Sequence, residues 1–377
     1  MQLVMPNSSA AVGRLSPQGW HAWARRALGA VMALAAVLCG APAWAQAGTT
    51  ATPAPIRLRI VGGLASLNQF TRQEEPFWTR TLPALTSGKV QAEIVGFDRA
   101  GIRGQDMLRL LQQGVVPFGT ALLSLSLTQD AIVAAPDLAG LNPDMATLRR
   151  TVAASRPLLT TQLRERFGLE LLAVYAYPAQ VVFCRQAIAS LGDLAKRRVR
   201  VSSVTQADLV EALGGTAVFV PFAEMLPQMR AGTLDCAITG TMSGNTIGLH
   251  EVTSHLHPLA INWGVSLFMA NRTAWAALPA DLRQLLNQQL PLLEQAIWAD
   301  ADRETGEGIA CNTGMAGCTS GQKGHMTLVR PSAADAQRLR DLLANTVLPR
   351  WVARCGPRCA DAWNDTIAPT TGVRAVP

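Results

Sequence analysis

The stretch LAKRRVRVSS, Leu194–Ser203, sets Lys196, Arg197, Arg198 and Arg200 in a segment that otherwise alternates like a strand. Alternation puts Arg198, Arg200 and Ser202 on one side and Val199 and Val201 on the other. Lys196 and Arg197 suit a solvated rim. Arg200 stands between two valines, where the strand enters the body of a domain, and a guanidinium there needs an anion. The anion is either a neighbouring Asp or Glu or the carboxylate of a ligand, which the planar guanidinium fork meets bidentately.

Other reactive sets are sparse. The only histidines after the N-terminal segment are His250, His255, His257 and His325. The run HEVTSHLH is neither H-E-x-x-H nor an i, i+4 pair, so it reads as surface or capping histidines and not as a metal site. No G-x-S-x-G elbow, phosphate loop or dinucleotide fingerprint occurs, and Asp193, Asp208, Glu211, Glu224 and Asp235 are scattered. The residues do not suggest an enzyme, and no cofactor or metal is expected.

The N-terminus has a basic region (Arg14, Arg25, Arg26), the apolar run Ala27–Ala41 and the small-x-small site Ala43-Trp44-Ala45. That is the order of a secretory signal peptide, 1–45, cleaved near Ala45, and it predicts a periplasmic protein. The formal charge of +7 drops to +4 without those three arginines, with no long basic run, so nucleic acid is not an expected partner. Of the remaining cysteines, Cys311, Cys318, Cys355 and Cys359 fall in the C-terminal quarter. In an exported chain local disulfides Cys311–Cys318 and Cys355–Cys359 are the simplest pairing, with crossed pairing still open. Cys184 and Cys236 read either as buried thiols or as a further pair.

Positioning elements follow from periodicity. Strands are expected in 56–63, 89–97, 118–126, 169–178, 179–185, 196–202, 216–222, 233–240 and 261–271. Helices are expected in 74–88, 104–114, 205–215 and 222–232, with a long one over 278–308. Strand–helix–strand alternation in two successive blocks indicates parallel α/β sheets with a ligand cleft between them. After the first strand, Asn68 and Gln69 lie at a carboxyl end where α/β ligands sit. Phe222 is either an apolar wall of the cleft or core, and Trp263 either hinge core or cleft lining. Tyr175 and Tyr177 are the only two tyrosines.

Leu191–Glu251 resembles the DctP-like solute-binding proteins of TRAP transporters, the tripartite, ATP-independent periplasmic uptake systems. The matching residues are DLAKRRVRV, then LGGTAVFVPFAEMLPQMRAGTLDC with Pro221, Phe222, Glu224, Gly232 and Asp235 in register, then Glu251-Val252. MANRTAWAALPADLRQLL follows, and GFDRAGIRGQDMLRLLQQGVVPFG matches upstream. The resemblance spans roughly Arg57 to Gly308. It implies a two-domain periplasmic-binding-protein-like α/β fold with an inter-domain ligand cleft and a long C-terminal bracing helix. It also implies that Arg200 is the carboxylate anchor. Near Ala179 or Gln180, where many relatives carry a second arginine, this chain has none, and Tyr175 and Tyr177 lie just before. The polar position after Gly-x-x-Asp falls on Thr239, Ser243 or Asn245. One cationic anchor favours a monocarboxylate over a dicarboxylate, unless Arg72, Arg99 or Arg103 enters the cleft.

The expectation is therefore an extracytoplasmic receptor that takes a small organic acid on Arg200, Tyr177, Phe222, Ser243, Asn245, Asn68 and Gln69. Its partners would be membrane-embedded transporter subunits. A periplasmic sensor or an exported enzyme on a similar fold are the alternatives. The expected division is 56–177 plus about 264–300, 178–263 plus about 301–345, and a Cys-containing extension 346–377.

Overall fold

Alternating IRLRIVG forms β1 (Ile56–Gly62), the central parallel strand between β2 (Val90–Gly96) and β3 (Phe118–Leu122). The computed structural model describes residues 54–128 and 130–376, so the expected signal peptide lies outside the described residues. Further strands are β4 (Leu169–Tyr175), β5 (Gln180–Cys184), β6 (Arg198–Val201), β7 (Thr216–Phe219) and β8 (Cys236–Gly240). The last three are β9 (His255–Asn262), β10 (Ser266–Asn271) and β11 (Thr327–Leu328). They make two sheets, ordered β2-β1-β3-β10-β4 and β11-β9-β5-β8-β6-β7. Both sheets are mixed, not purely parallel: β10 runs antiparallel to β3 and β4, and β5 antiparallel to β8 and β9. The reason is that the chain passes from sheet to sheet by short crossings, β4 to β5 and β9 to β10, which deliver each incoming strand in the reverse sense.

The stretch expected as one strand over 261–271 is broken at Trp263–Val265. There Asp137 accepts hydrogen bonds from the backbone amides of Trp263 (2.9 Å), Gly264 (2.8 Å) and Val265 (3.0 Å), which takes them out of any ladder. Trp263 is buried, its indole donating to the Asn142 carbonyl at 2.8 Å, so it is crossing core.

The long helix runs Ala280–Thr313, about 51 Å at 1.5 Å per residue. Its first half, Leu282 to Ile297, packs with Leu58, Ile60, Tyr175 and Phe268 of the first sheet. Its second half meets the short helix Thr241–Thr246 that follows β8, with Asn312 donating to the Thr241 carbonyl at 2.9 Å. It therefore braces both sheets. Gly308, the last residue of the expected range, lies mid-helix. A Cβ there would collide with the backbone of Thr241 and Met242, so the glycine permits close approach and Gly314 ends the helix instead.

A helix over Met145–Phe167 has no counterpart among the expected elements. Its buried stripe includes Thr151 and Ser155 beside Leu148, Val152, Leu159 and Leu163, which breaks the apolar period, and Pro157 reads as an interruption. Ser155 satisfies its hydroxyl on the Thr151 carbonyl at 2.7 Å. The helical run expected over 74–88 starts earlier, at Gln69, with Asn68 as its first flanking residue. Disulfides join Cys311–Cys318 and Cys355–Cys359. A third disulfide, Cys184–Cys236, links directly opposed residues of β5 and β8.

Candidate functional site

β6 lies between parallel neighbours β7 and β8, with Arg200 opposite Val218 and Ala237. Its two arginines and the preceding Arg197 divide the work. Arg197 donates to the carbonyls of Gln186 and Ala187, and the exposed Arg198 pairs with Asp235 at 2.7 Å. Arg200 is only 4% exposed. Its Nε donates to the Val220 carbonyl at 2.9 Å and its Nη1 to the Ile238 carbonyl at 2.8 Å, both toward the carboxyl ends of β7 and β8. No carboxylate among the described residues pairs with it, and burial alone brings its pKa down to about 10. It is a buried, protonated guanidinium with carbonyls on one side and N–H donors unspent on the other.

Beyond β6, Ser203 caps the helix Val204–Ala212 by accepting from the Gln206 amide at 3.1 Å. The Gln206 side chain then ties the two crossings together. Its Nε2 donates to Gln180 (2.8 Å) and Asn262 (2.7 Å), and its Oε1 accepts from the Ser202 amide at 2.7 Å. Asn262 in turn donates to Asp137 at 3.2 Å. Burial raises the pKa of Asp137 to about 6 against the pull of its donors.

On the first sheet, Gly62 and Gly63 leave room for two side chains. A Cβ on Gly63 would lie 2.6 Å from the Tyr177 hydroxyl and 2.9 Å from Glu74. Glu74 is buried and accepts from the Gly63 amide (3.0 Å), Gln69 (2.7 Å) and Thr120 (3.2 Å). Burial raises its pKa, the donors opposing. Burial also raises the pKa of Tyr177, helped by the charge of Glu74.

Asn68, Gln69, Tyr177 and Ser243 are brought together around one cavity of about 10 Å³, which Glu304 of the long helix also lines. Arg200 does not line it; Ser243 is in the first turn after β8, the strand paired with β6. Phe222 opens the helix Phe222–Arg230, half-buried against the core, close to the exposed Phe219. Asn245 is turned elsewhere. It donates to the Gln322 carbonyl and accepts from the Gln322 amide, both at 2.8 Å, anchoring the segment that follows the Cys311–Cys318 loop. Tyr175 packs on Phe268 in the first core. Arg103 pairs with Asp106 at the surface.

Sequence reasoning missed Glu74, Asp137, Gln206, Asn262 and Glu304. Each is a lone polar residue with at least one partner far along the chain, and no local pattern marks it. A helix-facing Glu304 among Ile297 and Ala301 was the one available signal.

A model described as bacterial extracellular solute-binding protein, family 7 (DctP), matches residues 64–310. An ectoine-binding periplasmic protein of Halomonas elongata is 26% identical over 126 residues, 33% of this chain and 37% of that protein. The matched region therefore spans little more than a third of that relative's length. A Bordetella pertussis extracytoplasmic solute receptor binding pyroglutamic acid superposes with a TM-score of 0.72 at 20% identity, covering 82% of this chain and 98% of that one. A TRAP periplasmic solute-binding protein of Desulfovibrio salexigens with bound orotic acid gives 0.73 at 16%, covering 84% and 99%.

Proposed function

We propose, from a chain that belongs to bacterial extracellular solute-binding protein family 7, that this protein captures a small organic acid in a cleft between its two sheets. It then hands that acid to membrane-embedded transporter subunits outside the cytoplasm. The observation that carries the reading is Arg200: a guanidinium buried at the carboxyl end of parallel strands, with no carboxylate paired to it among the described residues. Burying a cation without an anion is costly, and a carboxylate ligand supplies the missing partner through two charge-assisted hydrogen bonds. The Val220 and Ile238 carbonyls fix the plane of the fork in advance, so little side-chain entropy is lost on binding. Closure of the sheets would exclude water, which strengthens the pair, and would create the surface that a transporter reads. The reading requires no bond to be made or broken. Pyroglutamic and orotic acid, bound by two proteins of similar fold, are carboxylic acids of the size expected.

The test is a thermal-shift and calorimetry screen of residues 46–377 against mono- and dicarboxylates, in parallel with Arg200→Ala. A ligand at a hundred times its Kd adds about 2.7 kcal/mol to the native state. One acid class should raise the melting temperature of the native protein and leave the variant unmoved. A variant that responds equally makes Arg200 a structural residue and removes the anchor.

A further inference from the structure

The three disulfides stand in different surroundings. Cys184 and Cys236 face each other across β5 and β8, both fully buried, so an attacking thiol reaches neither sulfur. In Cys311–Cys318, Cys318 is half-buried, but attack there would expel Cys311, which is fully buried in the last turn of the long helix. Glu307 lies one turn before Cys311 on the same helix face, with its pKa brought to about 2 by the Thr319 and Ser320 donors. A thiolate released at Cys311 would be buried beside that carboxylate, which makes it a poor leaving group.

Cys355–Cys359 differs on each count. Cys355 is half-buried at the end of the helix Leu348–Cys355, and Ala353, Arg354, Pro357 and Arg358 around it are exposed. Attack at Cys355 would expel Cys359, which is 6% exposed in the first turn of the ten-residue helix Pro357–Thr366. The helix dipole and neighbouring cations both favour a thiolate there, and Arg354 and Arg358 each stand one residue before a cysteine. Asp361 follows two positions after Cys359, a spacing that does not put the two on one helix face.

We propose that Cys355–Cys359 is a reversible thiol-exchange site, opened by a dithiol reductant. One thiolate of the reductant attacks Cys355 Sγ; the Cys355–Cys359 bond breaks, and Cys359 leaves as the thiolate. The second thiolate then attacks the reductant's own sulfur in the mixed disulfide and releases Cys355. The reductant departs as a disulfide, and its two electrons and two protons remain on the two cysteines. Reclosure by a disulfide oxidant is the reverse, and the fold keeps the thiols in place for it. Trp351 packs on Trp363 at 5.6 Å across the corner between the two helices. Arg350 and Arg354 grip Asp208, and the Trp351 indole donates to the Ala131 carbonyl at 2.8 Å, so the first helix stays docked when the bond opens. The proposal does not depend on the receptor reading.

The experiment treats residues 46–377, without denaturant, with increasing dithiothreitol, alkylates the free thiols and locates the labels by peptide mass. Cys355 and Cys359 should be labelled together at dithiothreitol concentrations at least about tenfold below those that label Cys311 and Cys318, with Cys184 and Cys236 unlabelled. Replacing the reductant by oxidised dithiothreitol should abolish the labelling and leave the far-ultraviolet circular dichroism unchanged throughout. Cys311–Cys318 opening first or together with Cys355–Cys359, no labelling until urea unfolds the chain, or failure to reclose would each overturn the proposal. The direction of attack is tested with Cys359→Ser and Cys355→Ser exposed to oxidised glutathione. The free Cys355 of the first should form its mixed disulfide at least about tenfold faster than the free Cys359 of the second. The opposite order would overturn the assignment of Cys355 as the attacked sulfur.

Discussion

Asp137 holds the β9–β10 crossing by four donors, three of them consecutive backbone amides, with no cation paired to it among the described residues. Burial raises its pKa from 3.8 to about 6, and the donors recover only part of the cost. A folded state that holds a proton more tightly than the unfolded chain loses stability as pH rises from the unfolded to the folded pKa, and the loss is complete above the latter. With these two values the Asp137 contribution falls by about 2 kcal/mol between about pH 4.5 and about pH 7. Asp137→Asn abolishes that titration. It also turns an amide N–H2 toward one of the backbone donors, a penalty that does not depend on pH. Urea unfolding of native and variant protein, followed by tryptophan fluorescence across that range, measures the effect. The stability difference, native minus variant, should shrink by about 2 kcal/mol as pH rises. A difference that stays constant shows that Asp137 is ionised throughout and that the crossing is not held by a poorly solvated carboxylate.

Three further outcomes can be measured. Replacing Cys184 and Cys236 by alanine reopens a loop with a sequence separation of 52, against 4 for Cys355–Cys359. Loop-closure entropy then predicts losses of about 4 and about 2 kcal/mol, so urea midpoints should fall in that order; the reverse order would contradict the entropic account. Glu307 is opposed by burial, but amide and hydroxyl donors from Thr319 and Ser320 win and bring its pKa to about 2, below the usual 4.5. Its contribution is thus complete above about pH 4.5 and lost as pH falls toward 2. Glu307→Gln should melt earlier than the native protein at neutral pH, with the gap closing in acid; a gap that persists there would rule the assignment out. Gly63→Ala drives a methyl into the Tyr177 hydroxyl and Glu74, and overpacking of this kind costs about 1–3 kcal/mol. Tyr177→Phe in the same background should recover part of the loss, and no recovery would mean that the methyl is accommodated elsewhere.

What the sequence made legible was whatever is written in local period or in one residue out of place. Strands β1 to β8 and the bracing helix follow from alternation and from Leu–Ile–Ala spacing, and Arg200 stands out because two valines flank it. The local disulfides followed from proximity along the chain. Legibility failed where one pattern carried two meanings. Gly308 closes the expected helical range and is a point of close approach, and INWGVSLFMAN looks like one strand but spans two, because the agent that divides it, Asp137, lies 125 residues upstream of Asn262. The helix Met145–Phe167 was hidden by Thr151 and Ser155 on its buried face. At the site the sequence nominated four of the residues that line the cavity but not Glu304, whose significance depends on Asn68, 236 positions away.

Arg200 stays unpaired among the described carboxylates, and burial is the only influence on its pKa. Glu74 and Asp137 also lie in poorly solvated positions, each with its pKa raised by burial. Neither is free to move. Glu74 is tied to the Gly63 amide, Gln69 and Thr120, and Asp137 to three amides and Asn262, so leaving those donors would orphan several buried N–H groups for one new contact. Asp208, on the helix after β6, is engaged by Arg350 and Arg354 from the C-terminal helices. Among the described residues no carboxylate compensates the charge of Arg200. In surroundings of effective dielectric about 20, a unit charge 4 Å away is worth about 4 kcal/mol, against about 1 in water. An anion arriving from outside would meet in Arg200 a guanidinium that no described carboxylate neutralises.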